Sequence, residues 1–412
     1  MGKPKWTVPA AIVLAVLLLT QCAFQLQEKS PPKSLAPVQT ASLSAPALAP
    51  DPSVQLGLPC RAAILMDQNS GNILYEKNSE IRMPVASITK VMTLLLTFEA
   101  IHDGKLTYEQ EVPVSAHAAA MGGSQIWLEP GEHFTLDEML KAICVSSAND
   151  AAVAVAELVA GSEPAFVARM NARAVQLGMT QTHYENACGL DREGHLSSAK
   201  DVAILSCFIL NTCPEVKQYT KIWTETLRGG QTHLVNTNKL IRKYEGMTGL
   251  KTGTTSGAGV CLSASATRQG LSLVGVVLGS DSGPERFAAA QTLLDYGFAN
   301  YEAGTVPTPP NAPLTLPVRG AVHSTVPLDY TSIPRQILLQ KGQAKGLNAV
   351  LALPEKISAP LAAGQLVGEV KLYAGQNEIG CFPIKSALQV EKMDFGAALA
   401  LVLRCAAGDE SN

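Results

Sequence analysis

The chain has 412 residues, 47% hydrophobic and 16% charged, with a net charge of −3. That length allows two or three domains with an ample core. The charge balance, with no basic run beyond the first residues, excludes nucleic acid as an expected partner.

Lys3 and Lys5 precede an apolar segment, Val8 to Leu19, and then Thr20-Gln21-Cys22-Ala23. Residues 1–23 therefore have the layout of an export signal, and the segment is shorter than the ~20 apolar residues of a spanning helix. Three fates stay open: ordinary cleavage, lipoprotein-like acylation at Cys22 (with Gln21 a poor residue before it), or retention as an anchor. All three export the chain. Residues 24–56, rich in Pro, Ala and Ser, read as a flexible linker.

Arg61 to Asp67, a turn at Asn69-Ser70-Gly71, and Asn72 to Glu76 predict a β-hairpin. Ala86 to Ile101 has no Gly or Pro and apolar residues at helical spacing, which predicts one helix. Ser87 and Lys90, three apart, share a face at its start. A hydroxyl one turn from an amine suits an activated nucleophile. The unpaired N–H groups of a helix start favour a developing anion.

Leu136 to Val145 predicts a helix whose dipole Asp137 and Glu138 complement. Asp150 to Val159 predicts a second, alanine-rich helix. Ser147 and Asn149 fall in the connection between them, where polar residues ordinarily cap helices. Phe166 to Leu177 and Asp201 to Leu210 predict further helices. Tyr184 to Asp191 reads as a loop, and His195 as a loop-stabilising histidine rather than a catalytic one. The glycines of Gly246-Met247-Thr248-Gly249-Leu250-Lys251-Thr252-Gly253-Thr254 let a backbone or ligand approach closely. Gly259 to Thr267 and Leu271 to Leu278 predict a second hairpin, and Glu285 to Asn300 a helix with Arg286 in its first turn.

Prolines after Gly304 mark a boundary. Leu314 to Val390, short runs broken by Pro, Gly and Asn, predicts a small all-β domain. Phe395 to Leu403 is apolar, with Phe395, Leu399 and Val402 on one stripe. That segment suits packing on its own domain or contact with a membrane surface, and is too short to span one. The expected domains are 57–303 and 304–393, followed by a tail, 394–412. Nine scattered cysteines form neither a disulfide framework nor a metal site, so buried free thiols are expected.

Three short motifs follow one another: Ser87-x-x-Lys90, Ser147-x-Asn149 and Lys251-Thr252-Gly253, with their first members 60 and 104 positions apart. Each is weak alone. Ser30-Pro31-Pro32-Lys33 repeats the first spacing, but its prolines forbid a helix. Ser70-Gly71-Asn72 repeats the second inside a turn. Ser197 to Lys200 repeats the first again, where Ser197 or Ser198 reads better as a helix N-cap. The ordered triple is specific, and such motifs occur in penicillin-binding proteins and class A β-lactamases.

From about Arg61 to Tyr301 the chain resembles the low-molecular-mass penicillin-binding proteins that are D-alanyl-D-alanine carboxypeptidases. The resemblance includes Met83 to Lys90, His195-Leu196-Ser197-Ser198-Ala199, Gly246 to Thr254 and Leu293-Leu294-Asp295-Tyr296-Gly297-Phe298. It implies a penicillin-recognising, serine transpeptidase-like catalytic domain. That is an α+β (α/β) fold, an antiparallel sheet flanked by helices plus a helical subdomain, followed by the all-β domain.

The implied chemistry is removal of the terminal D-alanine from peptidoglycan pentapeptide stems at the cell wall, outside the cytoplasmic membrane. Ser87 would attack the penultimate D-Ala carbonyl, and Lys90 would take its proton. Ser147 would relay a proton to the leaving amine, linking Lys90 and Lys251, and Asn149 would hold the substrate amide. The N–H groups of Ser87 and Thr254 would form the oxyanion hole. Lys251, Thr252, Gly253 and Thr254, with Arg286 behind them, would bind the terminal carboxylate. β-Lactams would trap Ser87, and neither metal nor cofactor is implied.

Ala148 stands where the second motif commonly has Gly, and the tail lacks the family's basic character. A class A β-lactamase would need a Glu-x-x-Leu-Asn loop between the second and third motifs, and none is present. The three motifs would also suit a D,D-endopeptidase that cuts cross-links, or a cell-wall binding protein that has lost its activity.

Overall fold

The central sheet is assembled from strands that lie far apart in the chain. The computed structural model describes residues 50–406. The export signal, the Ser30 motif, most of the linker and the end of the tail lie outside them. β1 (Ala62–Asp67) and β2 (Ile73–Lys77) form the first predicted hairpin. Its turn is fixed by the Ser70 hydroxyl, which donates to Asp67 at 2.6 Å. Ser70 thus serves the turn, as its position suggested.

The helical region follows. A 3₁₀ turn, Ala86–Thr89, leads into α1 (Lys90–His102). Two short strands, β3 (Glu111–Pro113) and β4 (His133–Thr135), pair before α2 (Leu136–Val145). At its start Thr135 and Glu138 form a reciprocal capping box. α3 (Asn149–Ala160), α4 (Glu163–Gln176) and α5 (Ala199–Thr212) follow. Ser198 caps α5, so this second Ser-x-x-Lys look-alike is a helix start, as expected.

β5 (Thr224–Leu227) and β6 (Thr232–Val235) make a hairpin that the sequence did not signal. Then come β7 (Met247–Thr255), β8 (Gly259–Arg268), β9 (Leu271–Ser280) and α6 (Gly283–Asn300). The sheet order is β2-β1-β9-β8-β7, antiparallel throughout, so β7 is an edge. Alternation along β1 divides two cores. Ile64 and Met66 join the helical cluster of α1 to α5, while Ala63 and Leu65 join Leu293 and Leu294 of α6. Covered on both faces, β1 and β9 are buried along their whole length, which is why they read as continuous apolar runs.

β10 (Tyr301–Thr305), β11 (Thr315–Arg319), β12 (Thr325–Asp329), β13 (Gln336–Gln340), β14 (Leu347–Ala352), β15 (Ile357–Ser358), β16 (Leu366–Ala374) and β17 (Asn377–Ser386) build the predicted β region. Six of them form a sheet ordered β14-β16-β17-β12-β11-β15, and β10 pairs with β13. Val326, Val370, Leu372 and Ile384 centre a third core there. The last described element is α7 (Phe395–Ala406), which exposes Phe395, Leu399 and Leu403.

Candidate active site

The expected single helix from Ala86 is two pieces, and the break positions the nucleophile. Ala86 has a φ of +51°, an uncommon conformation for a residue with a Cβ. Ser87 lies in the 3₁₀ turn that this bend starts, and Lys90 opens α1. A 3₁₀ turn has three residues per turn, which eclipses positions three apart. Lys90 Nζ accordingly donates to Ser87 Oγ at 2.8 Å. It also meets Asn149 Oδ1 at 2.5 Å and Cys188 O at 2.7 Å. Lys90 is fully buried, and loss of solvent pushes its ammonium down to about 8, with Cys188 and Asp150 opposing.

Asn149 is the first residue of α3 rather than part of the preceding connection. Its side-chain amide is fixed at both ends, since Nδ2 donates to Gly122 O at 2.6 Å. Ser147, at a φ of +64°, is no cap: its hydroxyl accepts from Lys251 Nζ at 2.8 Å. The first and second motifs therefore meet through Lys90 and Asn149, and the second and third through Ser147 and Lys251. Lys90 bonds to Ser87 and Lys251 to Ser147, so the expected relay between the lysines is divided into two bonded pairs.

Lys251 lies on β7, a strand that its glycines hid in the sequence. It is buried, and desolvation first, then the positive charge of Lys90, hold its ammonium well below the usual range. Period two puts Gly253 on the face of Lys251. There a Cβ would stand 2.8 Å from Val85 O and 3.1 Å from Ser87 N, so only glycine lets β7 lie against the nucleophile turn. Thr252 is buried with its hydroxyl 2.6 Å from that of Thr237, while Thr254 is exposed.

Arg286 is not a surface ion-pair residue. It is 8% exposed, and Nη1 donates to Gly253 O at 3.2 Å, Cys261 O at 3.1 Å and Thr254 Oγ1 at 3.4 Å. Burial lowers its guanidinium to about 10, which leaves it cationic at neutral pH. It braces the end of β7 and adds positive charge beneath it.

Four contributors went unnoticed in the sequence. Cys188 supplies a backbone carbonyl to Lys90, which no side-chain motif signals. Gly189 has a φ of +88°, and a Cβ there would fall 2.0 Å from Ala86 O. The loop holding both is gathered by Asn186 Oδ1, which accepts from the N–H groups of Cys188, Gly189 and Leu190. Asp150, at the start of α3, is fully buried and accepts N–H bonds from Ile126, Leu128 and Ala151.

His195 behaves as expected. Its Nδ1 accepts from Glu185 N at 3.1 Å, which leaves Nε2–H to donate to Thr89 Oγ1 at 2.8 Å. Burial pushes it down to about 4, so it stays neutral. Among the described residues seven cysteines are free thiols, most of them buried. One group, His102, Cys213 and Glu215, has metal-ligand atoms within 4.8 Å of one another. It lies at the far end of α1 from Lys90, and His102 and Glu215 already pair at 2.5 Å.

The sequence model of the D-alanyl-D-alanine carboxypeptidase family matches residues 50–282, and that of the penicillin-binding protein 5 C-terminal domain matches 301–392. The chain is 38% identical to D-alanyl-D-alanine carboxypeptidase DacF of Bacillus subtilis, over 83% of this chain and 88% of that protein. Penicillin-binding protein 5 from Haemophilus influenzae superposes with a TM-score of 0.72 at 30% identity, covering 81% of this chain and 98% of that one. Penicillin-binding protein D2 from Listeria monocytogenes, solved in an ampicillin-bound form, superposes with a TM-score of 0.55 at 31% identity, over 60% of this chain and 100% of that one.

Proposed function

This chain belongs to the D-alanyl-D-alanine carboxypeptidase family, and from that premise we propose which of its residues perform the reaction. It is a serine-type hydrolase of the penicillin-binding class, acting on peptidoglycan stems that end in D-Ala-D-Ala. The observation that carries the assignment is the convergence of Ser87, Lys90, Asn149, Ser147 and Lys251 through three side-chain hydrogen bonds of 2.5 to 2.8 Å.

Lys90, as the free amine, takes the Ser87 proton while Oγ attacks the penultimate D-Ala carbonyl. The N–H groups of Ser87 and Thr254 receive the oxyanion, each such donor being worth ~10²–10³ in rate. As the C–N bond breaks, the Ser147 hydroxyl hands its proton to the departing D-Ala amine and is reprotonated from Lys251. Once D-Ala has left, Lys90 gives up the proton it took and Lys251 regains one by exchange with solvent. Water then attacks the Ser87 ester, its proton passing to Lys90 and from there back to Ser87 Oγ as the ester breaks. Asn149 holds the substrate amide and keeps Lys90 aimed at Ser87. The D-Ala carboxylate lies along the edge of β7 near Lys251, Thr252 and Thr254, with the Arg286 charge beneath them.

β-Lactams acylate the same hydroxyl. The catalytic region spans 57–303 and the β domain 304–393. The substrate lies outside the cytoplasm, so we place the enzyme at the cell wall, where removing D-alanine limits cross-linking. The exposed stripe of Phe395, Leu399 and Leu403 supports contact with the membrane surface. Among the described residues no single helix is long and apolar enough to cross a membrane.

Incubation with a pentapeptide muropeptide tests this. One D-Ala per stem is expected from wild type and none from Ser87→Ala. Cleavage of a cross-linked dimer without D-Ala release from the monomer would indicate an endopeptidase instead.

A further inference from the structure

Trp127 is the most conspicuous misfit on the surface of the catalytic region. It is 74% exposed and sits at a φ of +59°. A bulky side chain in left-handed backbone is a genuine outlier that the surrounding structure must enforce. An exposed indole adds no core packing to that end.

The surroundings hold it there from both sides. The N–H groups of the two neighbours, Ile126 and Leu128, donate to the buried Asp150 carboxylate at 3.1 Å. The carbonyls of Ile126 and Trp127 accept from the Arg228 guanidinium at 2.8 and 3.1 Å. Arg228 is itself clamped by both carboxylate oxygens of Glu132, at 2.9 and 2.8 Å, and stacked on Phe134. The indole is thus presented by a fixed frame.

That frame adjoins the second motif. Asp150 directly follows Asn149, whose N–H donates to Ser124 O at 2.7 Å and whose Nδ2 donates to Gly122 O. Trp127 is three residues beyond Ser124, so at ~3.3–3.6 Å per residue it lies within about 11 Å of it. The stem reacts at Ser87 through its C-terminal residues, so the rest of the substrate, including the sugars that carry the stem, extends away from that cluster.

We propose that Trp127 is a stacking platform for a sugar ring of the peptidoglycan strand. An indole offers a broad apolar face with an N–H at its edge, which matches the C–H face and polar rim of a hexosamine. Trp127 is a positioning residue: it holds the polymer so that the stem enters the cleft, and takes no part in bond making. This rests on the carboxypeptidase reading above.

The test compares full-length wild type with Trp127→Gly, which tolerates the positive φ, and Trp127→Phe, which keeps an aromatic face. D-Ala release is followed on an acyl-D-Ala-D-Ala tripeptide, a sugar-free pentapeptide and the disaccharide-pentapeptide, with fluorescent-penicillin acylation as the check on the cleft. Expected for Trp127→Gly is a rise of roughly tenfold in KM on the disaccharide substrate alone. Its kcat, and both sugar-free substrates and penicillin, should stay within about twofold of wild type, and Trp127→Phe should restore most of the loss. Equal KM values for Trp127→Gly and wild type on the disaccharide substrate would overturn the proposal. A loss of the same size on the sugar-free pentapeptide would overturn it too, by assigning the contact to peptide. Failure of wild type to release D-Ala from any substrate would instead refute the carboxypeptidase reading.

Discussion

Lys90 is where structure and chemistry bear most directly on each other. An ammonium in water has lost its lone pair to a proton and is no base. Buried at the start of α1, with Asn149 Oδ1 and Cys188 O to orient it, Lys90 is held near 8. The active form is the neutral amine, so its population falls as pH drops below that value. The second-order rate of acylation by a fluorescent penicillin should therefore decline toward tenfold per pH unit between about pH 7 and 6, with a limb near 8. Lys90→Arg, which cannot deprotonate, should lose ~10²–10⁴ in rate and the limb with it. A rate independent of pH across that window would show that another group takes the Ser87 proton. The pairing of Ser87 with Lys90 was legible from spacing alone. The depressed basicity was not, because it depends on burial by α3 and the Cys188 loop.

At the level of elements, the nucleophile turn is shaped by what presses on it. β7 touches it through Gly253 and the 186–190 loop through Gly189. A Cβ at Gly189 would stand 2.9 Å from Ser87 N as well as 2.0 Å from Ala86 O, and backbone cannot yield as a flexible side chain does. Gly189→Ala should move Ser87 away from Lys90 and lower penicillin acylation by roughly 10²-fold, the usual consequence of a misplacement near 1 Å. Gly178→Ala is the matched control: its φ is +72° but nothing lies within 4 Å of its Cβ. It should lose about 1 kcal/mol of stability and acylate normally. Equal effects of the two substitutions would mean that backbone conformation, not contact with the turn, explains Gly189. The hairpins of β1–β2 and β8–β9 were legible from their short apolar runs and the turn residues between them. β7 was not, since glycines at 246, 249 and 253 erase strand propensity at the point where close approach requires them. The 3₁₀ turn escaped as well, because apolar spacing does not distinguish it from the first turn of α1.

Across the whole molecule, two cores meet at β1 and a third fills the β region. The first joins α1 and α3, which carry Lys90 and Asn149, with the nucleophile turn before α1 and the helix α2 that leads to Ser147. The second anchors α6, and with it Arg286, under the sheet. The class of fold was legible from the order of the elements, whereas the boundary expected at residue 304 falls inside β10, which pairs with β13. Strand order was not legible, because β9 enters beside β1 only through long-range pairing. That pairing is what lets residues 60 and 104 positions apart share one cleft. The most direct measurement of that convergence is peptide mapping by mass spectrometry after brief exposure to benzylpenicillin. One penicilloyl group per chain is expected, on the peptide containing Ser87, with Lys251→Ala and Asn149→Ala each slowing its appearance. A stoichiometric adduct on any other residue, or none at saturating drug, would contradict it.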